Sequence, residues 1–181
     1  PKTLGWDNHT HQWQRFQSIS RWIDFQSIES ELSLTDIGCG FADYYQFLER
    51  HYPEKTISYQ GVDINSDFIN ICRQRFPHQS FISRNILIND ADIKVTQWGV
   101  MVGVLNLRLN NVSNIEFSEN MIAKLFSLVT EGIVVDMLST DLCDDYPEED
   151  FIFYHNPEKM LYFARKLTPF VALIHDYSPI P

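Results

Sequence analysis

At 181 residues with 44% hydrophobic side chains, the chain is long enough for one domain with a substantial core. Its 14 basic residues against 24 acidic ones leave a net charge of −10, which repels a phosphate backbone and argues against a nucleic-acid partner. No window approaches the roughly 20 apolar residues of a membrane span, and Cys39, Cys72 and Cys143 show neither metal-ligand spacing nor an even count for a disulfide framework. A cytoplasmic setting, no metal and a small-molecule partner are therefore expected.

Residues 10–25 repeat Trp13, Phe16, Ile19, Trp22 and Ile23 between polar positions, the spacing of an amphipathic helix. Residues 32–37 then read as a strand, 41–52 as a helix stopped by Pro53, and 57–64 as a second strand, which makes a βαβ unit. Ser66 is the expected cap of the next helix, whose apolar side carries Phe68, Ile69, Ile71 and Cys72 and which ends at Phe76-Pro77. Residues 80–83 form a third strand. Residues 84–96, irregular or a short helix, precede residues 97–105, a continuous apolar run of the kind buried on both faces. Residues 116–130 are expected to be helical and 132–138 to be another buried strand. Asn156-Pro157-Glu158 opens a helix with a cap, a first-turn proline and an acid, and its pattern runs to Lys166. Thr168-Pro169 breaks it, and 170–174 is read as a sixth strand. Strands alternating with helices define an α/β fold, a three-layer sandwich around a doubly wound, mostly parallel sheet. Such sheets bind ligands at the carboxyl ends of their strands, where strand order reverses.

Two segments fall at that end. Leu34-Thr-Asp36-Ile-Gly38-Cys39-Gly40 leaves the first strand through a turn with two glycines one residue apart, and Gly61-Val-Asp63-Ile64 ends the second strand on an acid about 20 residues later, the position from which a βαβ unit offers a carboxylate to ribose hydroxyls. A dinucleotide loop would carry a third glycine where Asp43 stands, and a carboxylate there opposes a pyrophosphate. An adenosyl cofactor without phosphate, ending in an ammonium and a carboxylate, suits acids such as Asp36 beside backbone N–H groups.

With these motifs the chain resembles the class I S-adenosylmethionine-dependent methyltransferases over nearly its whole length. The resemblance implies S-adenosyl-L-methionine as cofactor. Asp36, Gly38, Cys39 and Gly40 match the first motif, at the methionine moiety. Asp63 matches the ribose-binding acid, with Ile64 against the adenine. Asn85 and Ile86 stand where the family has an acid and an apolar residue at the adenine edge; the amide is a departure that brings no charge. Gly103 and Val104, within Val102-Gly-Val-Leu-Asn106, are similar to the fourth motif and line the adenosyl group. The family's N-terminal segment often folds over the cofactor, so the single domain 1–181 is expected to comprise a helical lid over 1–31 and an α/β core over 32–181. Arg15 is then a candidate partner for the methionine carboxylate.

No fixed catalytic residue is required for an in-line methyl displacement, and a base is needed only if the acceptor must lose a proton. Trp6, His9, His11, Asn106 and Arg108 are the acceptor-site candidates. Six acids within residues 141–150 favour a cationic or amine acceptor if they wall the pocket, against the plainer reading of a solvated loop. His175 and Asp176 alternate on a strand and cannot serve one proton together. The family's last antiparallel strand has no counterpart before Pro181, and the chain opens on Pro1 rather than methionine. A processed or partial chain is expected, or one whose open sheet edge is completed by a second copy.

The leading expectation is a small-molecule methyltransferase. A methyltransferase-like binding or scaffold domain without turnover is the alternative. A nicotinamide oxidoreductase is opposed by Asp43. Base-amino methylation is opposed by the acidic balance and by Asn106-Leu-Arg-Leu109 where an Asn-Pro-Pro-aromatic tetrapeptide would stand.

Overall fold

The computed structural model describes residues 9–23, 31–142 and 148–176. In chain order they form α1 (His9–Ser20), β1 (Glu31–Ile37), α2 (Asp43–His51), β2 (Thr56–Asp63), α3 (Ser66–Arg75), β3 (Ser80–Ser83), β4 (Thr96–Val102), α4 (Asn114–Phe126), β5 (Val129–Asp136) and α5 (Pro157–Leu167). Every ladder is parallel, and the strand order is β3-β2-β1-β4-β5. The expected α/β sandwich is therefore the fold observed, with its direction of winding reversed between β1 and β4.

Strand alternation sends side chains to two separate cores. On one face Leu32, Leu34, Tyr59 and Val100 pack under Phe16 and Ile19 of α1, Phe47 and Leu48 of α2 and Ile69 of α3. On the other, Ile37, Val62 and Met101 pack under Met121, Ile122 and Leu125 of α4 and Met160 of α5. Register across the middle strands is also fixed by polar groups. Gln60 Nε2 donates to Thr35 Oγ1 at 3.0 Å and to the Lys94 carbonyl at 3.2 Å, Thr35 and Thr96 hydroxyls meet at 2.9 Å, and Lys94 N–H returns to Gln60 Oε1 at 3.0 Å. A slip of one residue would strand these buried groups without partners.

Two expectations are corrected. Asn65, not Ser66, caps α3, its side chain accepting from the N–H groups of Asp67 and Phe68, because the helix begins at Ser66 itself, one residue earlier than a Ser66 cap requires. Residues 170–174 form no strand, so the described residues hold five strands rather than six. A strand exists by pairing, and this apolar run has no ladder partner among the described residues; Phe170 is 91% exposed. His175 and Asp176 accordingly do not end a strand, and the Asp176 carboxylate pairs with Arg21. The outer edge of β5 faces a cavity of about 530 Å³ bounded by α1, α5 and the segment after α5. No helix among the described residues is long and apolar enough to cross a membrane.

Candidate active site

The crevice at the carboxyl ends of β1 and β4 is shaped by backbone that only small residues tolerate. Gly38 and Gly40 have φ of 74° and 54°, and Ala42, which precedes α2, shares the left-handed conformation at 59°. The Gly38 and Cys39 N–H groups donate to the Val62 carbonyl at 2.7 and 3.2 Å, which folds the turn over the end of β2. Val104 closes the crevice from β4: a Cβ on Gly38 would lie 2.4 Å from Val104 Cγ2. Gly103, just before it, turns the chain with φ of 72°.

Asp63 ties the two loops together. Its Oδ2 accepts from Gly40 N–H at 3.0 Å and its Oδ1 from Asn65 N–H at 2.8 Å. Ile64 beside it is 77% exposed, a large apolar side chain left open at the mouth of the crevice. Asp36 lies deeper, 3% exposed, with Tyr59 O–H donating to its Oδ2 at 2.5 Å. Burial pushes the Asp36 carboxyl up to about 7; the Tyr59 hydrogen bond opposes that shift and the nearby Asp63 charge adds to it. Burial and the Asp36 carboxylate drive the Tyr59 phenol well above its ordinary value. Asp43 sits in the first turn of α2, where it binds Arg75 at 2.9 Å and takes the Gln12 amide at 3.3 Å, joining three helices of one face.

The remaining candidates divide. Asn85 is exposed, and its Oδ1 accepts from Leu87 N–H at 3.0 Å, so it caps a short turn and leaves its NH₂ as the outward group. Ile86 is buried in the α4 face of the core, beneath that turn. Arg15, on α1, forms a buried ion pair with Asp136 at 3.1 Å, across to the carboxyl end of β5. Asn106 is buried, its Oδ1 accepting from Leu138 N–H at 3.0 Å and its carbonyl from Phe153 N–H at 2.9 Å. Arg108 donates to the carbonyls of Asp150 and Ile152 at 2.8 and 2.9 Å. Both therefore fasten the loops after β4 and β5 rather than standing free at the crevice. Trp6 and residues 143–147 of the acidic stretch lie outside the described residues. His9 and His11 fall on α1, in the helix that docks beside β5 and α2.

Asp136 and Tyr59 are not among the residues expected from sequence at this crevice, and Cys72 is expected only as an apolar-face residue of its helix. Asp136 had a signal, an acid ending the apolar run Ile133-Val-Val-Asp136. Tyr59 had a weaker one in strand parity: Asp36 is in register with Gly61, two residues along β2 from Tyr59 and on the same face. The approach of Cys72 to Cys39 required the docking of α3 and had none.

A reversed parallel sheet with a two-glycine turn after its first strand, bridged to an acid ending its second, is the fold of the class I S-adenosylmethionine-dependent methyltransferases. The chain is similar in structure to magnesium protoporphyrin IX methyltransferase from Synechocystis PCC 6803 with bound SAH, at a TM-score of 0.69 and 13% identity over 91% of this chain and 80% of that one. A TehB-like SAM-dependent methyltransferase from Corynebacterium glutamicum aligns at 0.56 and 14% identity over 89% of this chain and 81% of that one. The sugar N-methyltransferase KedS8 from Streptoalloteichus sp ATCC 53650 aligns at 0.56 and 14% identity over 72% of this chain and 51% of that one. No protein-family profile and no curated protein sequence matches the chain.

Proposed function

We propose that this protein binds S-adenosylmethionine at the carboxyl ends of β1, β2 and β4 and transfers a methyl group to a small-molecule acceptor. The observation that carries the reading is Asp63, whose carboxylate bridges the glycine turn and the end of β2 beside the exposed Ile64. The donor set fits that cofactor better than a dinucleotide. Asp36, Asp43 and Asp63 surround the turn, and the Arg75 guanidinium engages only Asp43 among them. Carboxylates there favour an ammonium and a vicinal diol and oppose a pyrophosphate.

In this reading Asp63 would accept from the ribose hydroxyls while keeping its two backbone donors, and Ile64 would cover the adenine. The Asn85 NH₂ would meet an adenine ring nitrogen, with Ile86 supporting its turn from below. Gly38, Cys39, Gly40, Gly103 and Val104 would form the walls, Asp36 would receive the ammonium, and Arg15 would serve the carboxylate from α1. The bound cofactor supplies a methyl group on a sulfonium, activated for in-line displacement. The chain's contribution is orientation and exclusion of water, with no general base assigned. A small acceptor suits the strong negative charge, an amine or cation best, and the names of the porphyrin and sugar methyltransferases of like fold are in keeping with it. A cytoplasmic setting, from the cysteine usage, and self-association through the outer edge of β5 complete the reading; light scattering tests the latter.

Calorimetry with S-adenosylhomocysteine tests the cofactor: saturable binding is expected, and weakened binding on Asp63→Ala. Absence of binding to folded protein refutes the proposal. The second reading, a binding domain without turnover, is favoured by one observation, that Asn106 and Arg108 are engaged with loop backbone. S-adenosylhomocysteine release from S-adenosylmethionine in the presence of cell extract separates the two.

A further inference from the structure

Beneath the glycine turn lie two thiols that methyl transfer does not use. Cys39, between the two glycines, is 7% exposed, and Cys72, in the middle of α3, is 0% exposed. Both sulfurs converge on one carbonyl. Cys72 Sγ donates to Gly40 O at 3.2 Å, and Cys39 Sγ stands 3.9 Å from the same oxygen. The space they fill is tight, since a Cβ on Gly61 would come within 2.9 Å of Cys39 Sγ.

We propose that Cys39 and Cys72 are a modification site, closing to a reversible disulfide under hydroperoxide, and that the bond holds the glycine turn in a conformation that binds the adenosyl cofactor poorly. Only the second half rests on the cofactor reading above. A disulfide needs an S–S bond of about 2.05 Å and Cα atoms roughly 4.4–6.8 Å apart. The sulfurs must therefore leave their shared carbonyl and close on each other. Cys72 is fixed within a helix, whereas Cys39 is flanked by glycines that tolerate a change of φ, so the turn is the part that moves. Moving it draws on the Gly40 N–H bond to Asp63, which sets the crevice.

The electrostatics assign the roles. The neighbouring Cys39 thiol lowers the Cys72 thiol, against burial and with help from the Arg75 guanidinium, while the same neighbour relation and burial push Cys39 up. Of the two, only Cys39 has exposed surface, so peroxide enters on its side. Cys72 sulfur attacks one peroxide oxygen, the O–O bond breaks, and the other oxygen leaves as water with the thiol proton, giving a sulfenic acid. Cys39 sulfur then attacks that sulfur, the S–O bond breaks, and a second water departs with the Cys39 proton. Two thiols and one peroxide thus become one disulfide and two waters.

The test uses the full chain carrying Cys143→Ser, so that Cys39 and Cys72 are its only thiols. After hydrogen peroxide, alkylation under denaturing conditions and mass spectrometry should find neither cysteine alkylated and one cross-linked peptide holding both, reversed by dithiothreitol. S-adenosylhomocysteine affinity by calorimetry should fall about tenfold or more on oxidation and return on reduction, and Cys72→Ser in the same background should lose this sensitivity. Persistent alkylation of both thiols, or sulfinic acid without a cross-link, overturns the site. A cross-link with unchanged affinity overturns its effect on the turn. If the reduced protein binds no S-adenosylhomocysteine, the cofactor reading fails while the mass measurement still decides the disulfide. Should Cys72→Ser not fold, the cross-link and the oxidised-against-reduced affinities decide alone.

Discussion

The Gly38→Ala substitution probes the crevice directly, because two separable costs meet at one methyl group. The first is conformational: at φ of 74° an L-residue with a Cβ is about 1–2 kcal/mol less stable than glycine. The second is steric, since the new Cβ would stand 2.4 Å from Val104 Cγ2 where ordinary contact begins near 3.4 Å. Overpacking of that kind costs about 1–3 kcal/mol. Together they predict a loss of about 2–5 kcal/mol, measured by urea denaturation with an unchanged m-value. In a chain of this size that lowers Tm by roughly 4–20 °C. Val104→Ala removes the clashing methyl but leaves the φ cost, so the cycle formed by the two single variants and the double should show a favourable coupling of about 1–3 kcal/mol. A coupling near zero, or a Gly38→Ala variant as stable as the parent, would refute the contact across the crevice.

Asp36 sets a pH dependence. Its folded carboxyl lies near 7 against an ordinary 3.8, so the unfolded chain loses its proton first and stability falls as pH rises from about 4 to 7. Asp36→Asn should flatten denaturation midpoints across that window, and a variant with the parent's full slope would count against the buried carboxyl. His155 acts in the opposite sense: burial lowers its folded pKa below 6.5, so its contribution is present above that value and is lost as pH falls through the folded one. His155→Gln should make stability less sensitive to acid just below pH 6.5, read by thermal melts. Arg15→Ala leaves Asp136 buried without that guanidinium and should cost roughly 3–5 kcal/mol, whereas Arg15→Met with Asp136→Leu should cost less. Equal losses in the single and double variants would show that the charge is not what matters. Arg108→Ala should raise amide hydrogen exchange at residues 150–153 while leaving the global unfolding free energy within about 1 kcal/mol, because its partners are surface loop carbonyls.

Much of the fold was legible because parallel strands buried on both faces read as apolar runs and because helix starts carry their own chemistry. β3 matched its expected span, and the start of α5 followed from Asn156 and Pro157. The α3 cap was misassigned by one residue because asparagine and serine stand side by side and either can cap. The sixth strand was misread because an apolar, β-branched run announces propensity, while a strand also needs an edge to pair with. Spacing along the chain brings Gly38, Gly40 and Asp63 into view, and the fold gathers them at one crevice. The engagement of Asn106 and Arg108 is not legible in that spacing, since their partners lie 32 to 44 residues away on the loops beyond β5. Sequence marks where a polar residue stands, and only packing decides whether its bonding capacity is already spent.

The Arg15–Asp136 pair also bears on the order in which the molecule assembles. It joins residues 121 positions apart, whereas β1 and β2 pair across a separation of only 25. Short loops close at less entropic cost than long ones, and parallel pairing is slow to begin with. The unit of β1, α2 and β2 is therefore the natural nucleus; α1 can pack on it early through Phe16 and Phe47, and the Arg15–Asp136 pair closes only after β5 has been added to the sheet. During synthesis, α1 would thus be held first by apolar contacts alone, its ion pair to the sheet arriving only with β5.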